Sequence, residues 1–217
     1  MNKILSLLCC LFLCQIISAN TSKIELFSNI PILFSEAERI NQYTTRIPFK
    51  LVDRLIIIEG KLNDKKGNFI LDTGSEALIL NKVHFKTSLF NFEKKGNTSG
   101  VLRDVNPIEK TIRKLSFDNL SLKNKNSDII NLSHIEQSKK IKLLGIIGYD
   151  ILKDYEVFVD MYLNQITLTK TDKKGNKLGK EVYLETIVDT INFDLKKHAI
   201  VLRAYVNKEK LIFGLDT

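Results

Sequence analysis

Asp72-Thr73-Gly74-Ser75 is the segment of this chain whose residue types could do chemistry. It lies between two short apolar runs, Phe69-Ile70-Leu71 and Ala77-Leu78-Ile79-Leu80. A second Asp-Thr, Asp216-Thr217, stands 144 residues further on. A carboxylate at the end of a buried strand is costly unless it is hydrogen-bonded or paired. Two carboxylates brought face to face cannot both ionise easily, so they share one proton and titrate as a pair. One member can then take a proton from water while the other gives one to a carbonyl oxygen. That is how a peptide bond is split without a metal or a covalent intermediate. A turn of Asp, Thr and Gly can equally be only a turn, so the context decides.

The context is a repeat. Moved by 144 residues without a gap, Asn63 falls on Asn207, Lys66 on Lys210, Phe69 on Phe213 and Leu71 on Leu215. Asp72 falls on Asp216 and Thr73 on Thr217, while Ile57/Val201, Ile58/Leu202 and Leu62/Val206 match in kind. Two strands, a turn and an apolar lead into Asp-Thr are thus expected twice, each copy supplying one aspartate. A chance likeness between two hairpins is the alternative.

The elements that must position these residues read as strands. Ile47-Pro48-Phe49-Lys50-Leu51-Val52 and Leu55-Ile56-Ile57-Ile58-Glu59-Gly60-Lys61-Leu62 are rich in β-branched residues and punctuated by Pro and Gly. Residues 63–68 predict a hairpin turn, and Phe69-Ile70-Leu71 a short buried strand. Residues 86–100 are polar, with Gly96 and Gly100 as breakers, and shorter strands follow to about Ile130. The second half of Leu143-Leu144-Gly145-Ile146-Ile147-Gly148-Tyr149-Asp150-Ile151-Leu152 predicts one short helix. Residues 155–160 and 165–169 predict a closing hairpin. No helical period is sustained over several turns after the N-terminal segment, so the chain is expected to be mainly β.

The 217 residues are 44% hydrophobic and 27% charged, which excludes a disordered, collagenous or coiled-coil protein. Residues 4–17 are nearly all apolar, follow Lys3 and end near Ser18-Ala19, the pattern of a secretory signal peptide. The run is short for a membrane span. Cys9, Cys10 and Cys14 all lie in this segment, so no disulfide or thiolate site is expected beyond it. The net charge of +8 is spread over lysines interleaved with acidic residues, which argues against a nucleic-acid partner. The expected organisation is a signal peptide over residues 1–19 and a leader over 20–45. A first lobe over 46–170, a linker over 171–182 and the beginning of a second lobe over 183–217 complete it.

Phe69-Ile70-Leu71-Asp72-Thr73-Gly74-Ser75 resembles the active-site strand and loop of the retropepsin-like aspartic proteases. Ile146-Ile147-Gly148-Tyr149-Asp150-Ile151-Leu152 resembles their second signature, two apolar residues and a glycine opening a short helix. The likeness covers roughly residues 46–170 and restarts near 183. It is strongest to bacterial exported members with two lobes in one chain, some of which carry a PDZ domain afterwards. The resemblance implies a closed, barrel-like β lobe with one short helix, followed by the start of a second lobe. It implies an exported aspartic endopeptidase (periplasmic, secreted or membrane-anchored) acting on a peptide or protein substrate, with no cofactor and no metal. Asp72 and Asp216 are then the catalytic pair. Thr73 and Thr217 support the loops, Gly74 permits close approach, and Gly148 packs below the loop. Ser75 is expected to hydrogen-bond the outer oxygen of Asp72 and favour its ionised form, giving an acidic pH optimum. A hairpin flap near residues 97–103, with Gly100, would cover the substrate.

The second copy reads only as far as Asp216-Thr217, without the glycine and further strands of the first. The expectation is a longer natural chain, in which Asp72 and Asp216 form the pair. The alternative is a homodimer pairing Asp72 with Asp72. The fragment is itself expected to be inactive in the first case. Two other readings compete: a lobe that binds peptide or protein without cleaving it, and a truncated product without function. His84, His134 and His198 share no metal spacing and are read as surface or strand residues.

Overall fold

The structure, a computed structural model, describes residues 32–85, 108–180, 182 and 186–217. The expected signal peptide, the leader up to residue 31 and the flap residue Gly100 lie outside the described residues. Strands form where β-branched and aromatic residues run together, and short two-residue loops join them. β1 (Glu38–Arg39) pairs with β2 (Thr44–Val52), which turns into β3 (Leu55–Leu62) and then β4 (Lys65–Leu71). Asp53 and Arg54 make the first turn with φ of 48° and 68°, and Asn63 enters the second at 51°. Positive φ at both loop positions gives a turn whose twist matches the strands it joins, and Asn and Asp tolerate it best.

β5 (Leu78–Asn81), β6 (Ile108–Phe117), β7 (Leu120–Ile130) and β8 (Gly145–Ile147) complete a closed barrel. Its order is β4-β8-β5-β7-β6-β3, with β3 pairing back onto β4. Closure leaves these six strands no free edge. β9 (Tyr155–Asp160) and β10 (Gln165–Lys170) form a hairpin that extends the sheet beyond β2. The lobe is mainly β, as the sequence leads one to expect.

The apolar runs of β3 and β4 are continuous because both faces are covered. Ile56, Ile58, Phe69 and Leu71 join one buried cluster, and Ile57 and Ile70 join another with Leu132, Leu143 and Ile146. Phe69 meets Phe117 edge-on at 6.4 Å within the first cluster.

The sequence reading and the structure differ in two boundaries and one helix. The residues from Lys65 to Asn68, expected in a turn, belong to β4, where Lys65 and Lys66 pair with Leu62 and Lys61. The expected lobe start at residue 46 falls inside β2. Residues before it belong to the lobe: Ala37 is buried and donates its amide to Asp118 Oδ2, and Ile32 and Phe34 pack on the second cluster. A helix absent from the sequence reading, α1 (Ser133–Lys139), precedes the expected α2 (Tyr149–Leu152). At 7 residues α1 spans under two turns, too short to show a helical period. Among the described residues no helix is long and apolar enough to cross a membrane.

β11 (Asp194–Lys196), β12 (Ala199–Val206) and β13 (Glu209–Leu215) form a separate antiparallel sheet. Its pairing reproduces that of β2–β4 with the numbering advanced by 144. Ile56↔Leu71 becomes Ile200↔Leu215, Leu62↔Lys65 becomes Val206↔Glu209, and all 7 pairs follow. Leu51↔Ile56 likewise becomes Leu195↔Ile200. Asn207 repeats the left-handed turn of Asn63, again at φ 51°. The repeat seen in the sequence is therefore a repeat of structure. Its environment is different: Phe69 and Leu71 are 0% and 2% exposed, whereas Phe213 and Leu215 are 41% and 45% exposed.

Candidate active site

Asp72 follows the last residue of β4, and its position is set by β8. These two strands run parallel with Leu71 opposite Ile147, and the Asp72 amide donates to the Ile147 carbonyl at 3.0 Å. The chain then turns sharply. The amides of Gly74 and Ser75 both donate to Asp72 Oδ1, at 2.8 and 3.1 Å. The loop is held from below by the start of α2, where Tyr149 and Asp150 donate their amides to the carbonyls of Ser75 and Glu76.

Gly148 makes this contact possible. A Cβ at that position would stand 2.5 Å from the Ser75 oxygen and 2.6 Å from the Ala77 oxygen, both main-chain atoms. The signature residues Ile146 and Ile147 are buried in opposite clusters, so β8 is anchored on both faces. The fourfold set of Asp72, Gly74, Ile147 and Gly148 is thus brought together by one parallel strand pair.

Asp216-Thr217 reaches this loop from β13. The Thr73 amide donates to Thr217 Oγ1 at 3.1 Å. Thr73 Oγ1 donates to the Leu215 carbonyl at 3.5 Å, and Thr217 Oγ1 donates to the Leu71 carbonyl at 3.3 Å. The last two bonds are one bond exchanged between the copies, since 71/215 and 73/217 are repeat equivalents. The two Asp-Thr segments are therefore related as the halves of a local two-fold site. A Cβ on Gly74 would fall 2.6 Å from Asp216 Oδ1 and 3.2 Å from Asp72 Oδ1. Glycine is required here by the approach of both carboxylates, not by its backbone angles.

The pairing changes the acidity of Asp72. Burial pushes its carboxyl up from 3.8 to about 6, helped by the hydrogen bond and the charge of Asp216. The Gly74 and Ser75 amides act in the opposite sense, because they stabilise the ionised form. Ser75 differs from expectation: its hydroxyl donates to the Ala77 carbonyl at 3.3 Å, and its amide is the group that serves Asp72. A hydroxyl on a short side chain has only one donor proton, and the loop carbonyl takes it.

One contact here has no counterpart in the sequence reading. His198, in the turn between β11 and β12, places Nδ1 3.3 Å from Glu76 Oε2. Glu76 directly follows Ser75. The only signal was positional, because His198 repeats Arg54 in the first-copy turn.

The arrangement can hold one proton between two carboxylates at the junction of two β units, with a free face of Asp216 open to solvent. Such a pair can activate a water and polarise a carbonyl. No protein-family model matches this chain, and no curated protein does. Among solved structures, the chain is similar to the crystal structure of a retropepsin-like aspartic protease from Rickettsia conorii. The identity is 14%, the match covers 64% of this chain and 97% of the other, and the TM-score is 0.45.

Proposed function

We propose that this chain carries the catalytic pair of an aspartic endopeptidase, with Asp72 and Asp216 as the two carboxylates. The observation that carries this reading is the reciprocal bonding of Thr73 and Thr217, which sets the two Asp-Thr segments side by side. In the singly protonated pair, the ionised carboxylate takes a proton from water as the water oxygen attacks the peptide carbonyl. The protonated carboxyl gives its proton to the carbonyl oxygen. The tetrahedral species then collapses: the proton taken from water passes to the leaving nitrogen, and one hydroxyl proton of the forming acid returns to the carboxylate that had given it. No metal or cofactor takes part. The substrate in this reading is an extended peptide lying across the junction.

The pairing of Asp72 with Asp216 inside one chain favours the single-chain pair over Asp72 with Asp72 of a second copy. The exposed Phe213 and Leu215 need cover of the kind Phe69 and Leu71 receive. The reading assigns that cover to further strands of a second lobe. The signal-like first 19 residues support export, and with it a substrate outside the cytoplasm.

The test is hydrolysis of a mixed peptide pool between about pH 4 and 6 by a chain that carries the completed second lobe this reading calls for, with Asp72→Asn as the paired variant and a pepstatin-type inhibitor as the probe of the dyad. Cleavage that is blocked by the inhibitor and lost in Asp72→Asn is expected. Cleavage that persists in Asp72→Asn overturns the assignment. Peptide binding of equal strength in both proteins, with no cleavage by either, replaces it with the binding-module reading.

A further inference from the structure

The turn between β9 and β10 carries the most exposed large apolar side chain among the described residues of the first lobe. Tyr162 is 92% exposed, and its neighbours Met161 and Leu163 are each 55% exposed. The repeat accounts for exposure in the second copy, because Phe213 and Leu215 have buried counterparts in Phe69 and Leu71. It does not account for this turn, which belongs to the copy whose core is closed. The turn is pinned from within. Asp160 Oδ1 accepts from the amides of Tyr162 and Leu163 at 2.9 and 2.8 Å. Asn164 takes φ 53°, and its carbonyl accepts from the Phe49 amide of β2 at 2.9 Å. These polar groups are satisfied inside the protein, while three apolar side chains face water. An open recess of about 590 Å³, lined by the same residues with Phe158 and Val159, continues the apolar surface along β9.

The bond from Phe49 sets Lys50 and Leu51 alongside the turn, at the end of the sheet where β2 passes into β3. Leu51 is itself 48% exposed. Lys50, Arg54 and Lys140 are exposed, and Lys139 is paired with Asp53 of the β2–β3 turn. With Asp53 paired and Asp160 engaged by two amides, this end of the lobe is positive, in a chain of net charge +8. We propose that Met161-Tyr162-Leu163 is a docking point for an anionic lipid surface, with Lys50 and Arg54 meeting the headgroups. A tyrosine is at home where apolar chains meet water, and basic residues beside it are drawn to negative headgroups. Three side chains at a turn are too few for a stable protein interface, which takes about 800 Å² from each partner. A lipid boundary accepts a few apolar side chains once basic groups hold the protein against it. Leu51 and Leu71 both pair with Ile56, so Asp72 lies at the same end of the sheet. Three to four strand spacings separate it from the turn, about 15–20 Å. A docked lobe therefore holds its aspartate loop close to lipid. The inference goes beyond the endopeptidase reading and does not require it.

The chain contains no tryptophan, so Tyr162→Trp puts a single fluorescent reporter on the turn, and Met161→Trp gives a second. Tyr205→Trp, on the separate sheet and 71% exposed at the parent residue, is the comparison. Each full-length variant is mixed with vesicles of phosphatidylserine and phosphatidylcholine whose brominated acyl chains quench tryptophan on contact. An unchanged urea midpoint shows that each variant is folded. The reporters at 161 and 162 should shift to the blue and be quenched, and the reporter at 205 should do neither. The apolar N-terminal run is common to all variants, so the comparison isolates the turn. Quenching should weaken on phosphatidylcholine alone. Lys50→Gln and Arg54→Gln should each raise the lipid concentration needed for half-quenching about fivefold, one basic contact apiece. Absence of quenching at 161 and 162 on the anionic vesicles overturns the proposal, as does equal quenching at 162 and 205 or quenching undiminished on phosphatidylcholine. A blue shift that grows with protein concentration without lipid overturns it in favour of a second copy as the occupant. No step reads hydrolysis, so failure of either reading leaves the other standing.

Discussion

Replacing Asp72 by Asn should stabilise the fold at neutral pH and leave it unchanged in acid. The Asp72 carboxyl is raised from 3.8 to about 6 by burial and by Asp216. A carboxyl whose folded value lies above its unfolded one favours folding below the unfolded value. That contribution is lost as pH rises through the folded value. A shift of about 2 units corresponds to about 3 kcal/mol at 1.36 kcal/mol per unit. The side chain is only partly buried, so solvent screening reduces this to about 1–2 kcal/mol. Asn has the shape of the protonated acid and never ionises. Below about pH 4 the two proteins should therefore unfold at the same urea concentration. By about pH 7.5 Asp72→Asn should be the more stable by about 1–2 kcal/mol, and the difference should develop between about pH 4 and 6.5. Urea denaturation followed by far-ultraviolet circular dichroism at closely spaced pH values measures this directly. Parallel stability curves would refute the argument, because they would mean that Asp72 titrates alike in the folded and unfolded chain. A variant less stable at neutral pH would refute it with the opposite sign.

The same shift sets the pH dependence of catalysis in the proposed function: kcat/KM should fall about tenfold per pH unit above about pH 6, as the shared proton is lost. Steady-state rates on one peptide from about pH 4 to 8 check it, and a plateau extending past neutral pH would count against it. Gly74→Ala places a methyl group 2.6 Å from Asp216 Oδ1, so hydrolysis should drop by about two orders of magnitude. Its melting temperature should change little, since the loop lies outside the core. Gly148→Ala drives a methyl group against two main-chain oxygens at 2.5 and 2.6 Å and should cost about 1–3 kcal/mol of stability in thermal denaturation.

The strands and turns were legible because their causes are local. β-branched runs such as Leu55-Ile56-Ile57-Ile58 favour an extended backbone, and Asn63 and Asn207 accept the left-handed turn that a short hairpin requires. The ungapped match of residues 63–73 with 207–217 went further, since identical spacing between turn and apolar positions implies identical register. Failures of the reading were local too. α1 is too short to print a period, and Lys65-Lys66-Gly67-Asn68 looks like a turn because the outer end of β4 faces water.

The sequence by itself thus determined that two copies of one hairpin unit would each end in Asp-Thr, because strand register and turn chemistry depend on near neighbours. Only the tertiary structure decided that the Asp72 and Asp216 carboxylates approach each other across Gly74, that Gly148 sits under the Ser75 carbonyl, and that His198 reaches Glu76. These contacts join residues far apart in the chain. They follow from the parallel pairing of β4 with β8 and from the packing of the barrel, sums over many residues that no local pattern contains. The raised acidity constant of Asp72 is of the same kind: burial and a neighbouring charge cause it, and neither is written in the four residues around it.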